Sequence, residues 1–440
     1  MSEEFLQAGL GFGAMLLLIV LRAPVGLAML LVGAVGYQQI VGLDVLLNYL
    51  KATPYHLFAS YTLSVIPLFI LMGAIAERGG LARDLFTAAQ ALVGTRRGGL
   101  AIGVIGACAA FGAVCGSSVA TTATFARAAL PELRRYGYAP GLATGTIAVG
   151  GTLGILIPPS VILVVYAIST EQNIAKLFMA ALIPGLLATL SYVIAIMIQA
   201  RLRPDLMPPA PAMSGAEKRQ ALLRVLPVLS IAVAVIGGIY GGIFTPTESA
   251  AVGVMATLAV ALARRSLGLA GLVAALRGTA ETTAMIFAIL LGAEVFNAFL
   301  ALTQAPDLLA LWIAEQSLPA YGVLALLLAS YLVLGAVMDE LAMILLTLPV
   351  FFPVVTALDF GLGPEETAIW FGVLVLIVVG IGLTAPPIGL NVFVVAGLAR
   401  DVPMGRIYRG VLPYLAMDLL RLLTCAAFPA LSLLLVRWLG

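Results

Sequence analysis

The sequence predicts an all-α polytopic membrane protein made of two inverted halves. Three observations predict it: apolar segments long enough to cross a bilayer, loops that divide into basic and base-free sets, and one order of interruptions that occurs twice. Hydrophobic residues make up 62% of the 440 residues and charged residues 10%, against roughly 45–50% and about 25% in soluble domains. A crossing helix takes roughly 20 mostly apolar residues, and such stretches recur from Gly9 onward, so roughly ten to fourteen membrane segments fit the length. Spanning β-strands alternate over about ten residues, whereas Ala368–Val379 is apolar throughout, which selects helices.

The first residues, Met1-Ser2-Glu3-Glu4, are acidic where a cleavable signal is basic, so the first apolar run reads as a retained helix. Cys108, Cys115 and Cys425 show no metal or disulfide spacing and read as buried thiols. A net charge of +2 gives no reason to expect nucleic acid as a partner; composition implies the lipid bilayer instead.

Lys and Arg collect in cytoplasmic loops. The clusters at Arg78/Arg83, Arg96/Arg97, Arg134/Arg135, Arg201/Arg203 with Lys218/Arg219/Arg224, Arg264/Arg265 and Arg400/Arg406/Arg409 are therefore expected there. Base-free turns at Asp44, Glu171–Asn173, Gly241–Glu248, Asp307–Pro319 and Asp359–Glu366 are expected outside, and the N-terminus on the periplasmic side.

The stretch Gly98–Leu133 begins and ends at arginine pairs, so it must enter and return. Gly116-Ser117-Ser118 divides it into halves of about 17 residues, at the short limit for a crossing. A re-entrant hairpin or two tight crossings would satisfy this. Leu318–Leu358 has the same form around Gly335-Ala336-Val337-Met338-Asp339-Glu340, with acidic flanks, and should enter from the opposite face. After each hairpin a Pro-Pro interrupts an apolar segment, in Gly154-Ile155-Leu156-Ile157-Pro158-Pro159 and in Gly382-Leu383-Thr384-Ala385-Pro386-Pro387; Pro184 and Pro413 then follow at similar distances. Such a repetition in opposite orientations is the sequence sign of an inverted-topology transporter. Pro204, Pro208, Pro209 and Pro211 mark a cytoplasmic linker over 201–220.

Successive prolines stop helical bonding and free carbonyls. At membrane depth such backbone survives where it lines a cavity or is buried in protein, where carbonyls can hold a hard cation and half-helix N-termini an anion. Asp339, a carboxylate amid apolar sequence, reads as an ion or substrate group, and Glu340 as water-facing at the tip. Thr245-Pro246-Thr247-Glu248 reads as a capping box. Arg127 reads as snorkelling or paired, and Glu294 and Asn297 divide evenly between helix packing and a pathway role.

Gly116-Ser117-Ser118-Val119-Ala120-Thr121, the stretch 151–160, Thr245-Pro246-Thr247-Glu248 and the second Pro-Pro together resemble the large membrane subunit, DctM type, of TRAP (tripartite ATP-independent periplasmic) transporters. The likeness covers essentially the whole chain. It implies an elevator-type design, in which a static scaffold holds a mobile transport domain containing both hairpins and both broken helices. It also implies sodium-coupled uptake of a small carboxylate across a bacterial inner membrane, with sodium ions and no ATP. The implied partners are a periplasmic substrate-binding protein and a small four-helix membrane subunit on a separate polypeptide. The expected division is scaffold helices and an amphipathic segment in 1–95, the first transport half in 96–175, scaffold in 176–303, the second transport half in 304–400 and a C-terminal scaffold helix in 401–440.

By the same resemblance, one sodium site would use Cys115, Ser117 and the carbonyls of Gly154, Ile157 and Pro159; another would use Met338, Asp339, Gly382, Ala385 and Pro387. Substrate would lie between the tips, against Ser117, Ser118, Asp339, Thr384, Pro159 and Pro387. Asp339 stands where a serine pair would make the two tips alike. The nearest rival is a stand-alone sodium/carboxylate symporter of the same design. An intramembrane hydrolase lacks a Gly-x-Ser-x-Gly elbow and a base near the serines, an ATP-driven pump lacks a phosphate-binding loop, and a passive channel would ignore the sodium gradient.

Overall fold

The computed structural model describes residues 3–306, 308–309, 311 and 318–439, and the regular structure among them is helical. Met1, Ser2, Asp307 and most of the expected outer turn up to Pro319 lie outside the described residues. Six described helices are long and apolar enough to cross a membrane, or up to eight if each of two bent pairs is one span. The expected ten to fourteen segments are reached only by adding shorter apolar helices, because the hairpin halves are too short to count as full crossings.

The outer frame begins with α1 (Glu3–Val20), α2 (Val25–Val41) and α3 (Leu43–Phe58), which bends by 56° into α4 (Val65–Arg78). Helix α5 (Leu81–Val93) is amphipathic: it buries Leu81, Leu85 and Phe86 and exposes Arg83. The frame resumes with α12 (Gly215–Tyr240), α13 (Pro246–Ala263) and α14 (Leu269–Thr303). Glycines set the α2–α14 seam. A Cβ on Gly26 would lie 2.8 Å from Ala288 O, and one on Gly33 2.7 Å from the Phe296 backbone. In lipid such small-residue packing holds helices together where no hydrophobic drive exists. Thr245 and Glu248 form the expected capping box at the start of α13.

Around the two interruptions the chain forms α6 (Gly99–Cys115), α7 (Ser118–Ala128), α8 (Leu130–Arg135), α9 (Pro140–Leu156), α10 (Val161–Ser169) and α11 (Ile174–Leu202). The second set is α15 (Ala320–Gly335), α16 (Glu340–Thr356), α17 (Pro364–Gly382), α18 (Leu390–Leu398), α19 (Met404–Ala427) and α20 (Ala430–Leu439). Each hairpin turns at the residues singled out above, and α9–α10 bend by 43° at the first Pro-Pro.

Ion pairs sort the loops onto two faces. Arg134 pairs with Asp401 at 2.7 Å and Arg264 with Asp84, joining loops expected on the basic side. At the other end Lys176 meets Glu365 at 2.8 Å, and Arg437 grips Glu366 at 2.7 and 3.0 Å. The proline-rich linker lies on the basic face as a strap: Gly98 N donates to Met207 O, Ala139 N to Leu206 O and Ala210 N to Gly94 O. Met207 is fully buried, so the linker is anchored to the helices at that point.

The 401–440 segment differs from the expected single scaffold helix. It forms two helices, and α19 packs into the hairpin bundle. A Cβ on Gly145 would lie 2.5 Å from the Gly410 backbone, and Thr146 shares a hydrogen bond with Tyr414 at 2.7 Å. Behind α9, Tyr192 donates to Asp418 at 2.7 Å and Arg421 pairs with the same carboxylate at 2.9 Å, all buried. Backbone contact between Gly145 and Gly410 ties α19 to the broken helix, and Tyr192, 3.2 Å from Thr152 and bonded to Asp418, ties α11 to both. Apolar periodicity carries no trace of either.

Candidate functional site

Both hairpin tips open into one cavity of about 470 Å³. Cys115, Gly116 and Ser117 line it from the first tip and Asp339, Glu340 and Leu341 from the second. Gly73 and Glu77 of α4, with Gly278, Thr279 and Thr282 of α14, form the opposite wall.

The first tip is built by a left-handed turn at Gly116, φ +65°, after which Ser117 caps α7 by accepting from Ala120 N at 3.4 Å. Glycine is required there twice over: the positive φ suits it, and a Cβ would lie 2.8 Å from Pro159 O. Val161 N, just beyond the Pro-Pro, donates to Gly116 O at 3.4 Å. Gly154 lets α9 close on the tip, since a Cβ there would lie 2.4 Å from Thr121 Oγ1 and 2.6 Å from Ser117 O. Thr121 also donates to Ser117 O at 2.7 Å.

The second tip repeats these relations. Asp339 caps α16 by accepting from Leu341 N at 3.1 Å and Ala342 N at 3.3 Å, so it holds the place that Ser117 holds at the start of α7. Ile388 N, just beyond the second Pro-Pro, donates to Ala336 O at 3.2 Å, and a Cβ on Gly382 would lie 2.7 Å from the Gly335 backbone.

A model of the DctM component of the tripartite ATP-independent periplasmic transporters matches residues 12–431. The chain belongs to that family. Large permeases of the DctM family work with a small membrane subunit and a substrate-binding protein. One relative, the C4-dicarboxylate TRAP transporter large permease protein DctM of Pseudomonas aeruginosa, is 39% identical over 86% of this chain and 87% of its own length. The sialic acid TRAP transporter large permease of Vibrio cholerae is 33% identical over 86% of each chain. The solved Alcanivorax borkumensis YdaH transporter superposes with a TM-score of 0.63 at 16% identity, covering 88% of this chain and 89% of that one. At that identity the likeness speaks for the fold alone.

Within this DctM-family permease, Cys115, Ser117 and Asp339 reach the shared cavity. Ser118 lies buried behind the first tip, and Gly154, Ile157 and Pro159 are buried beside it. Gly382 is buried against the second tip, while Met338 and Ala385 are half-buried. Thr384 turns inward and bonds Ile381 O at 3.1 Å. Pro387 is exposed, and its carbonyl accepts from Tyr408 Oη at 3.0 Å. Thr384, Pro159 and Pro387 thus stand apart from the cavity shared by the tips. Glu340 is half-buried, with Oε2 enclosed and without a partner among the described residues, rather than open to water. Arg127 pairs with Glu77, across the seam between α7 and α4.

Sequence reasoning passed over Asn391. Fully buried on α18, it donates from Nδ2 to Ser118 Oγ at 2.8 Å and to Ala148 O at 3.1 Å, and its Oδ1 has no partner among the described residues. It therefore ties the second broken helix to the first hairpin. The available signal was an amide four residues beyond a Pro-Pro in apolar sequence. Thr279 and Thr282 on the frame wall were also missed, because hydroxyls on a long apolar helix ordinarily bond their own backbone.

Proposed function

We propose that this permease takes up small carboxylates by sodium-coupled alternating access, as the large subunit of a binding-protein-dependent system in a bacterial inner membrane. The observation that carries this reading is the convergence of four half-helix N-termini on one cavity. Helix α7 brings Ser117 and Ala120, α10 Val161 and Ile162, α16 Glu340 and Leu341, and α18 Leu390. Each N-terminus carries about half a positive charge, which favours an anion. Asp339 and Glu340 oppose a bare anion on the second side, and a bound sodium ion would relieve that repulsion.

The matching tip-to-break hydrogen bonds, Val161 to Gly116 and Ile388 to Ala336, support two inverted repeats, with sodium held by the freed carbonyls beside each tip. The seam with α4 supports an elevator: a Cβ on Gly73 would lie 2.8 Å from Cys115 O, so only a bare backbone lets the tip ride so close. The buried Tyr192–Asp418–Arg421 network, with Tyr192 also within 3.2 Å of Thr152, supports counting α11 and α19 with the moving body rather than the scaffold. Glu77 and Arg78 line both the shared cavity and a neighbouring one bordered by Arg83 and Arg127, which supports an inward-open state with the basic face cytoplasmic.

Reconstitution tests the reading. With its small subunit and binding protein in proteoliposomes, the chain should accumulate a carboxylate only under an inward sodium gradient. Uptake indifferent to that gradient would refute coupling, and full-rate uptake of free substrate by the purified chain alone would refute the tripartite assignment.

A further inference from the structure

On the basic face, away from the transport cavity, a second cavity of about 500 Å³ opens between α5, α8, the strap and the start of α12. Its charged lining is Arg83, Asp84, Arg135, Glu217 and Arg224. Both acids are already engaged: Asp84 pairs with Arg264, and one Glu217 oxygen takes the amide and hydroxyl of Ser214 in a capping box. The bases are not. No carboxylate lies within pairing distance of Arg83 or Arg224 among the described residues, and Arg135 has only its neighbour Glu132 at 3.6 Å and the Tyr136 ring. Gln90 and Gln220 add amide donors.

A cavity with three guanidiniums, two of them with no carboxylate partner among the described residues, calls for an anion rich in acceptor oxygens. Its depth suggests the source. Helix α12 has 26 residues, about 39 Å of rise against a hydrocarbon core of about 30 Å, so its first one to two turns stand in the headgroup layer. Arg224, in the third turn, lies just inside that border, within reach for its guanidinium to snorkel back to the headgroups, and is flanked by Leu223 and Leu226, both about half exposed.

We propose that this cavity is a phosphate-binding site whose occupant is the headgroup of an anionic phospholipid from the cytoplasmic leaflet, with the acyl chains lying along Leu223 and Leu226. The site draws its arginines from the hairpin side, through Arg135, and from the frame, through Arg83 and Arg224. An occupant would therefore touch both bodies.

The test is native mass spectrometry of the purified, delipidated protein with phosphatidylglycerol or phosphatidylcholine. Phosphatidylglycerol should be retained preferentially, each of R83Q, R135Q and R224Q should weaken it about fivefold, and the triple variant should treat both lipids alike. An R96Q/R97Q control removes basic charge outside the cavity and should leave the preference intact. A triple variant with unaltered preference, or a control that loses it equally, overturns the site. Inorganic phosphate is the third arm. If it displaces phosphatidylglycerol and binds wild type but not the triple variant with comparable affinity, the phosphate site stands and the lipid source falls.

Discussion

The two hairpin-and-break units share one plan but differ in exposure. In the first, the break is sealed: Pro158, Pro159 and Ser160 are buried, and the tip is capped by the neutral Ser117. In the second, Pro386, Pro387 and Ile388 are exposed, Tyr408 occupies the carbonyls of Pro387 and Ile388, and the cap is the charged Asp339. A repeated backbone device therefore yields two unequal tips. The first break keeps its carbonyls inside packed protein, while at the second the carbonyls of Pro387 and Ile388 share the Tyr408 hydroxyl and the cap carries a charge.

Four experiments would break or sharpen this contrast. The largest effect is expected from Gly154→Val and Gly382→Val. Each places carbon against the backbone of its own tip, at about 1–3 kcal/mol or more, and each should reduce uptake to background while the protein still reaches the membrane. Normal transport by G382V alone would mean that only the first break is pinned to its tip.

Asn391→Leu comes next. It leaves Ser118 and Ala148 O without their partner in a buried setting, at about 1–3 kcal/mol, and should lower the melting temperature more than a leucine substitution at the exposed Arg400. An unchanged melting temperature would show that the halves are not joined there.

Asp339→Asn keeps a capping oxygen but removes the charge, so the sodium concentration for half-maximal uptake should rise about tenfold, roughly 1.4 kcal/mol, with little loss of stability. Ser117→Ala should instead cost about 1 kcal/mol in stability through the lost cap and shift sodium activation less. Unaltered sodium activation in both variants would remove the ion sites from the tips.

The smallest effect concerns pH. The hydrogen bond from Arg134 holds the Asp401 carboxyl below its ordinary value of 3.8. A depressed carboxylate stabilises the fold above its unfolded value and loses that contribution as pH falls through the folded one. Thermal melts of Asp401→Asn should therefore fall slightly below wild type near neutrality and converge with it in strong acid. A gap that widens on acidification would contradict the pairing.

Much of this architecture was legible beforehand. The hairpin turns, the Pro-Pro interruptions and the two faces of the loops follow from patterns local in sequence, since a 17-residue apolar half, a proline pair or an arginine cluster each carries its own physical signature. The same holds for Asp339 as a membrane carboxylate. Its equivalence to Ser117 was not legible, because a cap is recognised by the amides it accepts and not by residue type. Nor was the placement of α19, which rests on Gly145 meeting Gly410 across more than 260 positions.

By itself, then, the sequence determined that this chain lives in a bilayer, crosses it as helices, and interrupts two of them with a proline pair, because lipid imposes those requirements on every segment separately. Only the tertiary structure decided that both tips share a cavity with α4 and α14, that Asn391 reaches Ser118, and that the strap seats Met207 and Ala210 over the first hairpin's base. Those are distances between residues far apart in the chain. They depend on which glycines let backbones touch and which buried polar groups find one another.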